Sequence, residues 1–221
     1  LMISVNSPEA FEEVFWKTFQ NSSELFEKFR CFVNLIIFKN NKKRYLSKNN
    51  KNALRIGTIK KIFPNSKILI TYRNPLQHSY SLLFQHNHFI NLQKKDKFLL
   101  DYMGWLGHND FGLNYLPNKS KNVTYKNKYD LNHWLEQWLY FYENILLLKK
   151  EKNVILVCYE NICNERVIWD ELQKIIGVKN LYSFRFKESK KKIKDSYNHD
   201  LLKKCMLVYK NLNRVKVKDC S

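Results

Sequence analysis

Glycine and proline are scarce, five and four in 221 residues, which excludes collagen-like and low-complexity architectures. Hydrophobic residues make up 44% and aromatics 15%, so a wholly disordered chain is excluded as well. The length suits one medium α/β domain or at most two small ones, and residues 1–221 are read as a single domain. The cysteines Cys31, Cys158, Cys163, Cys205 and Cys220 are odd in number and scattered, with no CxxC pair. That pattern indicates neither a disulfide framework nor a metal site, and points to a reducing compartment. Long apolar runs are missing: Cys31 to Phe38 is interrupted by Asn34, far short of the roughly 20 residues that span a bilayer. Acidic residues are few. Asp and Glu total 20 against 39 Lys and Arg, a formal net charge of +19, which implies an anionic partner such as nucleic acid, phosphate, sulfate or anionic lipid. Lys and Asn recur in runs at 39–43, 48–52 and 187–194, so compositional bias supplies part of that charge.

The elements follow from local signals. Ser7 and Pro8 write a helix start, and Phe11, Val14, Phe15 and Phe19 recur at helical spacing. Residues 44–47 read as short and extended, and 52–63 as a helix ended by Pro64. Lys67 to Tyr72 and Asn153 to Cys158 are continuous β-branched runs, suited to strands buried on both faces of a parallel sheet. Asp130 caps a long helix whose Leu131, Trp134, Leu135, Trp138, Leu139 and Tyr142 form a core stripe. Asp170 to Ile176 closes on Gly177, and Leu201, Leu202, Cys205, Met206 and Tyr209 mark one more amphipathic helix. Strands alternating with helices predict a three-layer α/β fold with a mostly parallel sheet. Residues 91–129 lack clear periodicity and form the expected specificity insertion.

The chemistry concentrates after the first strand. Arg73 stands at the strand tip, Asn74 fits a helix N-cap, Pro75 the first helical position and Gln77 the third. Ligands of open α/β sheets bind at that edge, and a helix N-terminus beside an arginine attracts phosphate. Ser81, two turns beyond Asn74, returns to the same face. The simpler alternative pairs Arg73 with a nearby carboxylate and leaves Ser81 in solvent.

Arg44-Tyr-Leu-Ser-Lys48, then Phe63-Pro-Asn-Ser-Lys, the strand, and Arg73 and Ser81 eight apart resemble the core of the sulfotransferases that use 3'-phosphoadenosine 5'-phosphosulfate (PAPS). The later Cys158-Tyr159-Glu160-Asn-Ile is similar to the family's YEDL block. The resemblance implies a P-loop nucleoside triphosphate hydrolase-like fold, PAPS as cosubstrate, 3',5'-ADP as product and no metal. It implies that Arg73 and Ser81 hold the 3'-phosphate, Tyr159 contacts the adenine, and Lys48 lies on the sulfate and stabilises the leaving phosphate oxygen. Some members carry a basic histidine two residues after that lysine; here the position is Asn50, which takes no proton. Phe11-Glu12-Glu13 resembles an element from which other members draw a glutamate base, making Glu13 the first choice and Glu12 the second, with its pKa raised by the apolar helix face. His86 and His88 are weaker alternatives. Trp105-Leu-Gly-His108-Asn-Asp110 is similar to a loop of bacterial members, so His86, His108 and Asp110 are assigned to the acceptor side.

The family's PRSGTT-type phosphosulfate loop is absent from these residues, and the fold is therefore expected to be N-terminally incomplete. Ser189 to Lys192 stand where members carry a basic loop over the 3'-phosphate, but without its RKG signature they are expected to be solvated charge. The reading is sulfuryl transfer from PAPS to a hydroxyl, of a carbohydrate or other cell-surface molecule. It would act in the cytoplasm if the source is bacterial, or in the Golgi lumen if it is eukaryotic and a preceding segment carries an anchor. The competing class is a basic nucleotide- or nucleic-acid-binding domain that keeps the fold. A nucleotide kinase would need a GxxxxGK[ST] loop, which these residues do not contain.

Overall fold

The computed structural model describes residues 11–118, 123–148, 151–178 and 186–214; the helix start read at Ser7 and Pro8 and the last cysteine, Cys220, lie outside them. In chain order the helices are α1 (Glu12–Phe19), α2 (Leu25–Lys39), a 3-10 turn (Asn50–Arg55) running into α3 (Ile56–Ile62), α4 (Pro75–Lys95), α5 (Lys97–Trp105), α6 (Leu131–Leu147), α7 (Tyr159–Asn164), α8 (Arg166–Ile176) and α9 (His199–Asn213). The strands are β1 (Ile68–Tyr72) and β2 (Val154–Cys158), paired in parallel with Ile68 opposite Val154 and Tyr72 opposite Cys158.

Helices lie on both faces of the sheet, whose two strands among the described residues are the two β-branched runs read from the sequence. Alternate side chains of a strand point to opposite faces, and β2 is buried on both. On one face Ile70, Tyr72, Val154, Leu156 and Cys158 pack with Trp134, Leu135, Trp138 and Tyr142 of α6, Leu83 of α4, and Cys205, Val208 and Leu212 of α9. On the other, Ile155 and Val157 meet Ile162, Trp169, Leu172 and Ile176 from α7 and α8. A separate core of Trp16, Leu25, Phe29, Val33 and Ile62 joins α1, α2 and α3.

Local chemistry sets the helix ends. Asp130 Oδ1 accepts from Asn132 N at 2.8 Å, as its sequence position predicts. Asp96 closes α4 and opens α5, its carboxylate accepting from Phe98 N at 2.9 Å. At the end of α8, Gly177 takes a left-handed conformation with φ 67°. Arg44 donates to the carbonyls of Ile176 and Gly177 there, placing a cation at the negative helix end. Two sequence expectations are corrected: 52–63 is a 3-10 turn before a short helix, and 91–129 opens with the last turn of α4 followed by α5. Among the described residues no helix is long and apolar enough to cross a membrane.

Candidate functional site

The tip of β1 is built as its sequence predicts. Asn74 Oδ1 accepts from Gln77 N at 3.1 Å, and Pro75 occupies the first turn of α4. The guanidinium carbon of Arg73 stands 4.8 Å from the centre of the Tyr159 ring, a cation–π contact. Arg73 Nη2 donates to the Ser189 carbonyl, while its Nε is buried with no hydrogen-bond partner among the described residues. Ser81 follows Gln77 by one turn of α4 and precedes Phe84 by another, half-buried on the same face.

A strap crosses that face. Tyr159 Oη accepts from Ser189 N at 2.9 Å and donates to the Lys187 carbonyl at 3.2 Å. The Gln77 side chain accepts from Lys191 N at 2.9 Å and donates to Lys191 O at 3.0 Å. Lys191 Nζ lies 4.0 Å from the centre of the Phe84 ring. The expectation of a merely solvated charge run is thus corrected: the backbone of 187–191 is hydrogen-bonded to Arg73, Gln77 and Tyr159, although Lys190 and Lys192 remain exposed.

Sequence reasoning missed Glu160. Its carboxylate accepts from Asn74 N at 2.8 Å, from Tyr209 Oη at 3.1 Å and from Cys158 Sγ at 3.3 Å, tying the end of β2 to the start of α4 and to α9. His78 is enclosed beside this cluster. Burial, reinforced by the nearby charge of Arg73 and opposed by Glu160, brings its pKa down to about 4, so the ring is neutral.

The second group surrounds the 48–55 segment. Glu12 and Glu13 are buried at the start of α1. Glu12 Oε2 accepts from Tyr45 Oη at 2.8 Å and from Ser47 Oγ, and its Oε1 from Asn52 Nδ2 at 2.7 Å and Trp16 Nε1 at 3.4 Å. Glu13 is gripped by Arg55, with Nη1 2.7 Å from Oε2 and Nη2 2.8 Å from Oε1; Asn49 Nδ2 stands 3.2 Å and Lys51 Nζ 3.6 Å away. The expected rise in the Glu13 pKa is corrected. Burial by itself pushes it up, but the hydrogen bonds from Arg55 and Asn49 and the charges of Arg55 and Lys51 together hold it below the ordinary carboxylate value.

Lys48 is exposed and donates to Asn50 Oδ1 at 2.8 Å, while Asn50 Nδ2 donates to Asp110 Oδ2 at 3.0 Å. Lys48, Asn50 and Asp110 therefore form one chain, across 60 residues between Asn50 and Asp110. Nothing in the local sequence signals this pairing.

The loop carrying Asp110 is fixed from α4. His86 is fully buried and its Nδ1 accepts from Gly112 N at 3.2 Å; Gln93 Oε1 accepts from Leu113 N at 2.7 Å. Gly112 has φ 85°, and a Cβ there would run into the Gln93 amide. Gly107 has φ 73° and lies against Lys17 and Glu13. The assignment of His86 to the acceptor is corrected: the ring is enclosed by Tyr115, Tyr129 and Trp134 and supports the loop from behind. His88 is exposed on α4, and His108 is exposed, with its backbone N bonded to Met103 O. Among the described residues no group of three or more His, Cys, Asp or Glu side chains is placed to hold a metal ion.

Residues 9–106 match the model of the sulfotransferase family, in agreement with the resemblance carried by the motifs. Neither curated proteins nor solved structures gave a significant match. The matched span contains Glu12, Glu13, Lys48, Arg73 and Ser81; Asp110, Tyr159, Glu160 and the strap lie beyond it.

Proposed function

We propose that this protein transfers the sulfuryl group of PAPS to a hydroxyl acceptor, of a carbohydrate or other cell-surface molecule. The observation that carries the reading is the β1 tip. The guanidinium of Arg73 lies over the Tyr159 ring, with an unpartnered Nε, beside a capped helix N-terminus, and Arg73 falls inside the family match. Such a junction suits a dianionic phosphate, because the helix N–H groups and the guanidinium both donate to anions.

In this reading Arg73 and Ser81 bind the 3'-phosphate, Tyr159 borders the adenine and the strap covers the nucleotide once Ser189 yields its contact with Arg73. Lys48 stabilises charge on the departing phosphate oxygen, an electrostatic effect of the kind that serves phosphoryl transfer. The Asn50 amide, bonded to its ammonium, restricts where that charge sits. Glu13 acts by position: its ion pair with Arg55 and its contacts with Asn49 and Lys51 fix the segment that carries Lys48. The loop from Trp105 to Gly112, with His108 and Asp110, faces the acceptor.

The test is transfer of label from sulfur-labelled PAPS in the intact protein to a panel of hydroxyl acceptors, together with calorimetric titration of 3',5'-ADP. Micromolar binding of 3',5'-ADP and a sulfated product are the expected results; absence of both defeats the proposal.

A further inference from the structure

Resting on the sulfotransferase reading, we infer that Asp110 is the general base that deprotonates the acceptor hydroxyl. Three carboxylates are linked to the 48–55 segment: Glu12, Glu13 and Asp110. The first two are spent. Both oxygens of Glu12 are taken by Tyr45, Ser47, Asn52 and Trp16, and both oxygens of Glu13 by Arg55, with Asn49 and Lys51 beside them. In Glu13 these donors and charges hold the pKa below the ordinary carboxylate value and leave it a poor proton acceptor, and in Glu12 they leave no oxygen open to an acceptor hydroxyl.

Asp110 keeps an open oxygen. It is half-buried, its Oδ2 accepts one hydrogen bond from a neutral amide, Asn50 Nδ2 at 3.0 Å, and no hydrogen-bond donor lies on its Oδ1 among the described residues. Asn50 passes the same amide's oxygen to Lys48 Nζ at 2.8 Å. One amide thus links a carboxylate that keeps an open oxygen to the ammonium. A displacement at sulfur needs a proton acceptor for the attacking hydroxyl and a cation for the leaving oxygen, and this chain of three side chains holds one of each.

The mount is rigid. Gly107 packs on α1 at one end of the loop, and His86 and Gln93 hold Gly112 and Leu113 at the other, while Leu116 N donates to Asn109 O at 2.8 Å. A general base must be within hydrogen-bond reach of the proton it takes, and a preorganised loop supplies that without reorganisation at each turnover.

In the step, the acceptor O–H proton passes to Asp110 Oδ1 as the acceptor oxygen forms its bond to sulfur. The bond from sulfur to the phosphate oxygen breaks, its electron pair leaves with 3',5'-ADP, and neutral Asp110 then returns its proton to water.

The experiment compares wild type, Asp110→Asn and Asp110→Gly in the intact protein, measuring kcat, KM for PAPS, 3',5'-ADP affinity and thermal midpoint. Asp110→Asn is expected to lower kcat by about 10² to 10⁴, the usual contribution of a positioned base, with 3',5'-ADP affinity within twofold of wild type. Added formate is expected to restore tenfold or more of the turnover of Asp110→Gly, a rescue that a purely structural role does not give. Active wild type with Asp110→Asn within threefold of it overturns the assignment alone. So does a loss of turnover that formate does not relieve and that is accompanied by lost 3',5'-ADP affinity. Wild type that neither binds 3',5'-ADP nor transfers sulfate overturns the reading and the assignment together.

Discussion

Arg55 meets Glu13 with both terminal nitrogens, at 2.7 and 2.8 Å, and joins the first helix of the described chain to the segment that carries Lys48. Replacing Glu13 by Gln leaves Arg55 and Lys51 without their counter-charge. We expect a loss of about 2–3 kcal/mol in urea unfolding, less than for a fully buried pair because both cations keep contact with water. The Glu13 carboxyl has a folded pKa below its ordinary value, so its contribution is complete above the ordinary carboxylate range and is lost as pH falls through the folded value. The gap between wild type and Glu13→Gln should therefore be constant near neutrality and close on acidification below about pH 4, the ordinary carboxylate range.

A second pH effect has a different window. His78 and His86 are both brought down to about 4 by burial. Their neutral forms stabilise the fold fully above the unfolded pKa of about 6.5, and this is lost as pH falls through 4. Thermal midpoints measured from pH 7 to pH 4 should drop, and His86→Leu should flatten part of that drop. An identical slope in the variant disproves the assignment.

Arg73→Ala removes the guanidinium that stands at the β1 tip among the described residues. Charge-assisted bonds to phosphate contribute roughly 1.5–3 kcal/mol each, so 3',5'-ADP affinity should fall tenfold or more, and Ser81→Ala should cost less. Equal calorimetric affinities for wild type and Arg73→Ala refute the phosphate clamp.

Gln77→Ala takes away both side-chain bonds to Lys191 and leaves the strap attached mainly through Tyr159 and Arg73. Limited trypsin digestion should then cut after Lys190, Lys191 or Lys192 several times faster than in wild type, and 3',5'-ADP should restore protection. A cleavage rate unchanged by the substitution rules out Gln77 as the anchor.

The net charge of +19 allows a rival reading as a nucleic-acid-binding domain. If the charge is mainly compositional, duplex DNA should bind weakly and be released by physiological salt. Nanomolar, salt-resistant binding by a chain with no affinity for 3',5'-ADP supports the rival.

What the sequence made legible was local. The Asn74–Pro75–Gln77 start of α4, the Asp130 cap of α6 and the Gly177 stop of α8 each depend on a few adjacent residues, and all are present. Helix α2 escaped notice because its apolar residues surround it: Phe29 and Val33 are buried while Phe26, Leu35 and Phe38 are exposed, so no clean period survives. Helix α5 is short and carries Gly104. At the site, Arg73 and Tyr159 were each named from their own local motif, and their contact is a product of the tertiary fold. The fate of Glu13 was not legible, because it depends on Arg55, 42 residues away. The Asn50–Asp110 bond and the anchoring of the strap likewise join residues that only the tertiary fold brings together.

Glu160 reaches across 86 residues to the backbone of Asn74 and across 49 to the hydroxyl of Tyr209. On the ribosome, then, Arg73 emerges long before the surroundings that orient it. Its parallel partner strand arrives only after α6, and the helix bearing Tyr209 comes later still. Non-local parallel pairing of this kind is slow to form, so this edge of the sheet is assembled only after residues far downstream of Arg73 have been made. A chain interrupted before α9 would keep both strands but lack Cys205, Val208 and Leu212 over one face of the sheet and the Tyr209 hydroxyl on Glu160, leaving apolar surface open to chaperones and proteases.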